Sequence, residues 1–190
     1  MRIISQNVLN YNFPVSEDFI LRINLAWCNS ISELKNILEK NKKFKIFLDL
    51  PIGRVKPPNN KYNLDDIVPL MFENKNISYF AISNVENGED LNIYLEKLPA
   101  DIIIVPKIES PEAVKNIEKI VNKLPDRDKI LMLDHDDLYS NLIKQNFPSE
   151  SFIEYVSKLT KFCDANKITL LRTVGVIFSN EEKRTSQYIK

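Results

Sequence analysis

Glycine is almost missing from this chain, with 3 in 190 residues. That excludes collagen-like and glycine-rich designs, and it leaves no glycine loop to cradle a phosphate through backbone N–H groups. Cysteine is as scarce. Cys28 and Cys163 are too few for a disulfide framework or a four-cysteine zinc site, and they read as two reduced thiols. Net charge is absent, since 26 Lys and Arg balance 26 Asp and Glu. The chain therefore lacks the cationic field that sequence-blind binding to nucleic acid or anionic membranes uses. No stretch approaches the ~18 apolar residues of a membrane span. The opening MRIISQNVLNYNF has neither the apolar run nor the small-residue cleavage site of a secretory signal. The expected location is the cytoplasm, with no nucleic-acid and no membrane partner.

What is present is an ordinary globular composition, 44% hydrophobic and 27% charged. No low-complexity tract or linker divides it, so residues 1–190 read as a single domain, with the Pro-rich stretch Pro51 to Asn60 as an internal loop. Short apolar runs alternate with amphipathic segments. The clearest runs are Phe44–Leu50, Ile77–Ile82, Asp101–Val105, Lys129–Leu133 and Ile168–Leu171, preceded by weaker ones at Arg2–Val8 and Phe19–Ala26. Each clear run is apolar on both parities, as strands buried on both faces of a parallel sheet are. Between them, Ser32 to Lys42 has apolar residues at helical spacing. Asn63 is placed to cap a helix from Leu64 to about Asn74, which Pro69 should bend or interrupt. Ser110-Pro111-Glu112 reads as a helix start, with the helix running to about Lys123, and Ser151 to Asn166 is a last amphipathic helix. Repeated strand–helix units predict an α/β fold with a parallel sheet, either doubly wound or a barrel.

In both architectures chemistry collects at the carboxyl ends of the strands. Two strand ends carry polar residues that fit such a role. In DIIIVPKIES, residues 101–110, Lys107 and Glu109 are two apart and share a side in extended backbone. In KILMLDHDDL, residues 129–138, an apolar run meets Asp134, His135, Asp136 and Asp137. If the two strands are neighbours, Glu109 and one of the aspartates converge within reach of a magnesium or manganese ion. Lys107 would add a positive charge for a phosphate, a carboxylate or a developing enolate. The plainer account is a rim ion pair beside a solvated acidic loop, with the sole histidine, His135, at the surface. Arg22, inside an apolar strand, is either salt-bridged or a ligand residue. Trp27 and Cys28 should pack at a strand end.

Read together, these segments resemble the catalytic barrel of pyruvate kinase. RIISQNV (2–8) is similar to the start of that family's first strand, LRINLAW (21–27) to its second and FLDLPIGRVK (47–56) to its third. ISYFAISNVENGEDL (77–91) resembles the fourth, with a Ser at the strand end and an Asp in the next helix. IIVPKIESPEAVKNIEKIV (103–121) is the closest match, to the lysine–isoleucine–glutamate strand and its helix. ILMLDHDDL (130–138) and ITLLRT (168–173) resemble the sixth and seventh strands. The resemblance implies an incomplete TIM-type barrel of about seven strands.

The resemblance also implies roles. Lys107 would stabilise the transferring phosphoryl group and the enolate, Arg22 would contact the phosphate, and Ser83 would line the pocket. Glu109 and Asp137 would hold the divalent ion, Asn24 and Asp49 a potassium ion, and Thr173 would stand near the carbon that is protonated. The implied substrate is a small anion, phosphoenolpyruvate or pyruvate, and the implied cofactors are Mg2+ or Mn2+ and K+. Several features depart from the family. Only Pro57 to Tyr62 stands where the family inserts its lid domain, and the first crossover, Leu9 to Asp18, is short. Ala26-Trp27-Cys28 replaces a Ser-His-Gly, His135-Asp136 replaces an Arg-Gly, and no eighth strand follows the seventh. Three functions stay open: kinase-like enolate chemistry, with transfer to ADP disfavoured by the missing lid; a metal-dependent 2-oxo-acid aldolase or lyase; and a non-catalytic binding or regulatory descendant. An open sheet edge between the seventh and first strands would invite a homo-oligomer or a cover from Asn180 to Lys190.

Overall fold

The computed structural model describes residues 1–6, 16, 18–52 and 61–172. In chain order its elements are β1 (Ile3–Ser5), β2 (Ile20–Asn24), α1 (Ile31–Lys40), β3 (Lys45–Leu50), α2 (Leu64–Glu73), β4 (Ile77–Ile82) and α3 (Asn92–Lys97). Then follow β5 (Ile103–Ile108), α4 (Pro111–Lys115), α5 (Ile117–Lys123), β6 (Ile130–Leu133), α6 (His135–Lys144), α7 (Ser151–Ala165) and β7 (Thr169–Arg172). Among the described residues the protein is α/β with seven parallel strands. All seven sequence runs become strands. β5 lies further along the chain than its apolar run suggests, because Lys107 is accommodated inside the strand rather than ending it.

The chain forms two compact units, residues 1–82 with 93–104, and residues 83–92 with 105 onward. In the first, β1, β2, β3 and β4 pair in chain order, each parallel to the next. Its core is built from strand residues pointing both ways, among them Leu21, Ile23, Ile46, Phe47, Leu48 and Phe80, all inaccessible to solvent. In the second, β5, β6 and β7 pair in chain order, again parallel. Within neither unit does the order reverse, as it would at the switch point of a doubly wound sheet.

Helix starts follow the local code. The Ser30 hydroxyl accepts from Glu33 N–H, Asn63 and Asp66 make a reciprocal capping box, and the Ser110 hydroxyl accepts from Ala113 N–H with Pro111 in the first turn. Three elements differ from expectation. α2 runs unbroken through Pro69. The ring lies on the exposed face, and the bond it removes would have gone to the carbonyl of Asp65, an exposed residue near the helix start, so no buried acceptor is stranded in the core. The helix after Ser110 is broken at Asn116, whose side-chain amide donates to the Glu86 carbonyl and to the Glu112 carboxylate. The chain beyond β6 is no loop, since α6 begins directly at His135 with Asp134 as its cap.

Candidate cation site

Lys107 and Glu109 do share a side. Both are almost fully buried, and Lys107 Nζ stands 2.6 Å from Glu109 Oε1. Asp134 lies beside them because α6 needs a cap. Its Oδ1 accepts from Asp137 N–H at 3.3 Å, while its Oδ2 lies 3.7 Å from Lys107 Nζ. Capping turns the first helical turn so that Asp137 faces the same place. Glu109, Asp134 and Asp137 each present a carboxylate oxygen within 4.8 Å of the others, in a gradient from buried through half-buried to exposed. The expected pair, Glu109 and Asp137, is therefore brought together, and Asp134 joins it.

The surroundings hold this cluster in place. Asn84, in the left-handed region at φ 56°, donates its N–H to Glu109 Oε2 at 2.8 Å. Asn141 donates its side-chain amide to the Glu109 carbonyl at 2.8 Å. Lys107 Nζ also donates to Ser83 Oγ at 3.3 Å, which places Ser83 beside the lysine. Burial pushes the Glu109 carboxyl above its ordinary range, with the Lys107 ammonium opposing that shift. When all are ionised, three acids and one ammonium leave the cluster two charges negative. Oxygen-only donors of this kind suit Mg2+ or Mn2+ better than zinc or copper.

His135 is buried, not at the surface, because it is the first residue of a helix that packs its ring near Phe152. Its Nε2 accepts from Arg172, which only donates. Asp136 is exposed and is not one of the three acids. Thr173 lies outside the described residues, as do 9–15, 17, 57–60 and 180–190 of the segments discussed for the first crossover, the lid and the terminal cover.

Arg22, Asn24 and Asp49 belong to the first unit. Arg22 is salt-bridged: its Nε and Nη2 both bond Asp49 Oδ2. Asp49 is fully buried and in register with Asn24, and its Oδ1 has no hydrogen-bond partner among the described residues. Asn24 uses Oδ1 to accept from Ala26 N–H. A cavity of about 210 Å3 is lined by Ser5, Gln6, Arg22, Asn24 and Trp27. Cys28 is packed as expected, but Trp27 is 56% exposed at the cavity rim.

Asn84 and Asn141 were not legible as site residues. Asp134 carried a signal, an Asp after an apolar run and three residues before another acid, which is an N-cap pattern. No protein-family model matches the chain, and no curated protein matches it. Among solved structures, the crystal structure of RipC from Yersinia pestis is similar, with a TM-score of 0.59 and 17% identity. That match covers 89% of this chain and 79% of RipC. At that identity the likeness concerns the fold alone.

Proposed function

We propose that Lys107, Glu109, Asp134 and Asp137 form a divalent-cation site for enolate chemistry on a small 2-oxo acid such as pyruvate, carried on an incomplete TIM-type barrel. The carrying observation is the convergence of three carboxylates beside a buried ammonium. Parallel strands in chain order within each unit support the barrel. A bound Mg2+ or Mn2+ would supply Lewis-acid stabilisation of the substrate's carboxylate and enolate oxygens. Glu109 and Asp137, with Asp134, would hold it. The Lys107 ammonium offsets the negative charge that grows when the substrate's methyl group loses a proton. Burial strengthens that effect, since Lys107 is only 5% exposed. Ser83 keeps the ammonium aimed. Transfer of a phosphoryl group to ADP needs a lid that excludes water and positions the nucleotide. The stretch from Pro57 to Tyr62 is too short to be one, so carbon–carbon bond chemistry of the aldolase or lyase type is favoured.

Two measurements test this. Titration with Mn2+, followed by electron paramagnetic resonance, should show one bound ion whose affinity falls at least roughly ten-fold in Asp137→Asn. Exchange of pyruvate methyl protons in D2O with Mg2+ present should be accelerated by the protein and lost in Lys107→Met. Absence of bound Mn2+ removes the proposal. The 2.6 Å Lys107–Glu109 pair favours one other account, in which the acids only neutralise a buried lysine and the protein is a non-catalytic descendant. Absence of bound Mn2+ would favour that account, whereas Mn2+ binding without any proton exchange would leave a cation-binding module that is no enzyme.

A further inference from the structure

The acidic cluster has two halves. Glu109 follows β5, while Asp134 and Asp137 sit at the start of α6. A divalent ion tolerates only a few tenths of an ångström in its ligand distances, so something must fix the separation of strand and helix. The Asp134 N–H donates to the Ile108 carbonyl at 3.3 Å, a long bond at the junction between β6 and α6. Asn141 makes the shorter contact: its Nδ2 donates to the carbonyl of Glu109 itself at 2.8 Å. Asn141 is four residues after Asp137, on the same helix face one turn on. The helix face that presents the exposed acid is thereby pinned to the backbone of the buried one. The Glu109 side chain is fixed separately, by the Asn84 N–H and by Lys107 Nζ.

We infer that Asn141 is a positioning residue that sets the distance between Glu109 and Asp137 and so tunes cation affinity. The inference rests on the cation-site proposal above. It acts through a donor, not a charge, and that distinction makes it testable in sign. Asn141→Asp keeps the size of the side chain but turns its donor into an acceptor facing a carbonyl, while adding a negative charge beside the site. If charge alone mattered, Mn2+ would bind more tightly. If the hydrogen bond sets the geometry, binding weakens.

The test measures Mn2+ affinity and the bound-ion resonance spectrum in wild type, Asn141→Asp, Asn141→Leu and Asp137→Asn, with unfolding midpoints alongside. The expected result is a loss of about 10–100-fold in both Asn141 variants, as for other residues behind metal ligands, with an altered bound-ion spectrum. Unchanged or tighter binding in Asn141→Asp overturns the inference, as does wild-type affinity in Asn141→Leu with only a lowered midpoint. If Asn141→Leu does not fold, Asn141→Asp decides alone. Wild type that binds no Mn2+ overturns both the site and the inference. Wild-type binding that is lost in Asp137→Asn but kept in the Asn141 variants overturns the inference only.

Discussion

Cys28 and Cys163 show what burial alone does to a side chain. Each is 1% exposed, and removal from water pushes each thiol up to about 11, with Glu33 and Asp164 adding smaller repulsions. The folded value lies above the ordinary ~8.5. The stabilising contribution of the neutral thiols is therefore complete below the unfolded value and is lost as pH rises through the folded one. At pH 8 both thiols should stay protonated and shielded. Titration with Ellman's reagent should give no rapid colour from native protein and both thiols after denaturation. Rapid stoichiometric reaction of the native protein would contradict the burial described here. Glu109 shifts upward for the same reason, but there an ammonium restrains the shift. Lys107 and Glu109 were legible as a pair because strand spacing fixes their side. Asn84 was not, because a left-handed residue at a strand end has no signature when Asn is common.

At the scale of elements, the decisive contacts are those between backbones. Gly88 is needed for space rather than for an unusual φ. A Cβ there would lie 2.6 Å from the Lys119 carbonyl oxygen of α5 and 3.3 Å from Lys123 Cβ. The turn Gly88–Leu91 and α5 therefore approach as closely as only glycine allows. Gly88→Ala should cost about 1–3 kcal/mol through overpacking. A lowered thermal midpoint by circular dichroism checks this, and an unchanged midpoint would show that α5 can retreat at no cost. At the nearby break in the helix, the Asn116 side-chain amide donates to the Glu86 carbonyl. A straight helix from Pro111 to Lys123 was the natural expectation from capping and periodicity, and the Asn116 bond to Glu86 is a tertiary contact that no local pattern announces.

For the molecule as a whole, charge balance governs its encounters. With a formal charge of zero and a sequence pI near 6.6, the chain has no net positive charge to draw polyanions over long range. It should pass through immobilised heparin at about 0.15 M salt, where surface charges are screened beyond ~8 Å. Retention above that salt would point to a concentrated basic surface that the totals hide. Among the described residues no helix is long and apolar enough to cross a membrane.

Chain order and periodicity by themselves determined the seven parallel strands, the helix caps at Asn63 and Ser110, and the side shared by Lys107 and Glu109. These are properties of neighbours a few residues apart, where strand and helix geometry leave few choices. Only the tertiary structure decided that Asp134 joins Glu109 and Asp137, that His135 is buried, and that Asn141 reaches across to Glu109. Each depends on where two distant segments meet, and that is set by packing and by the demand that buried polar groups find partners.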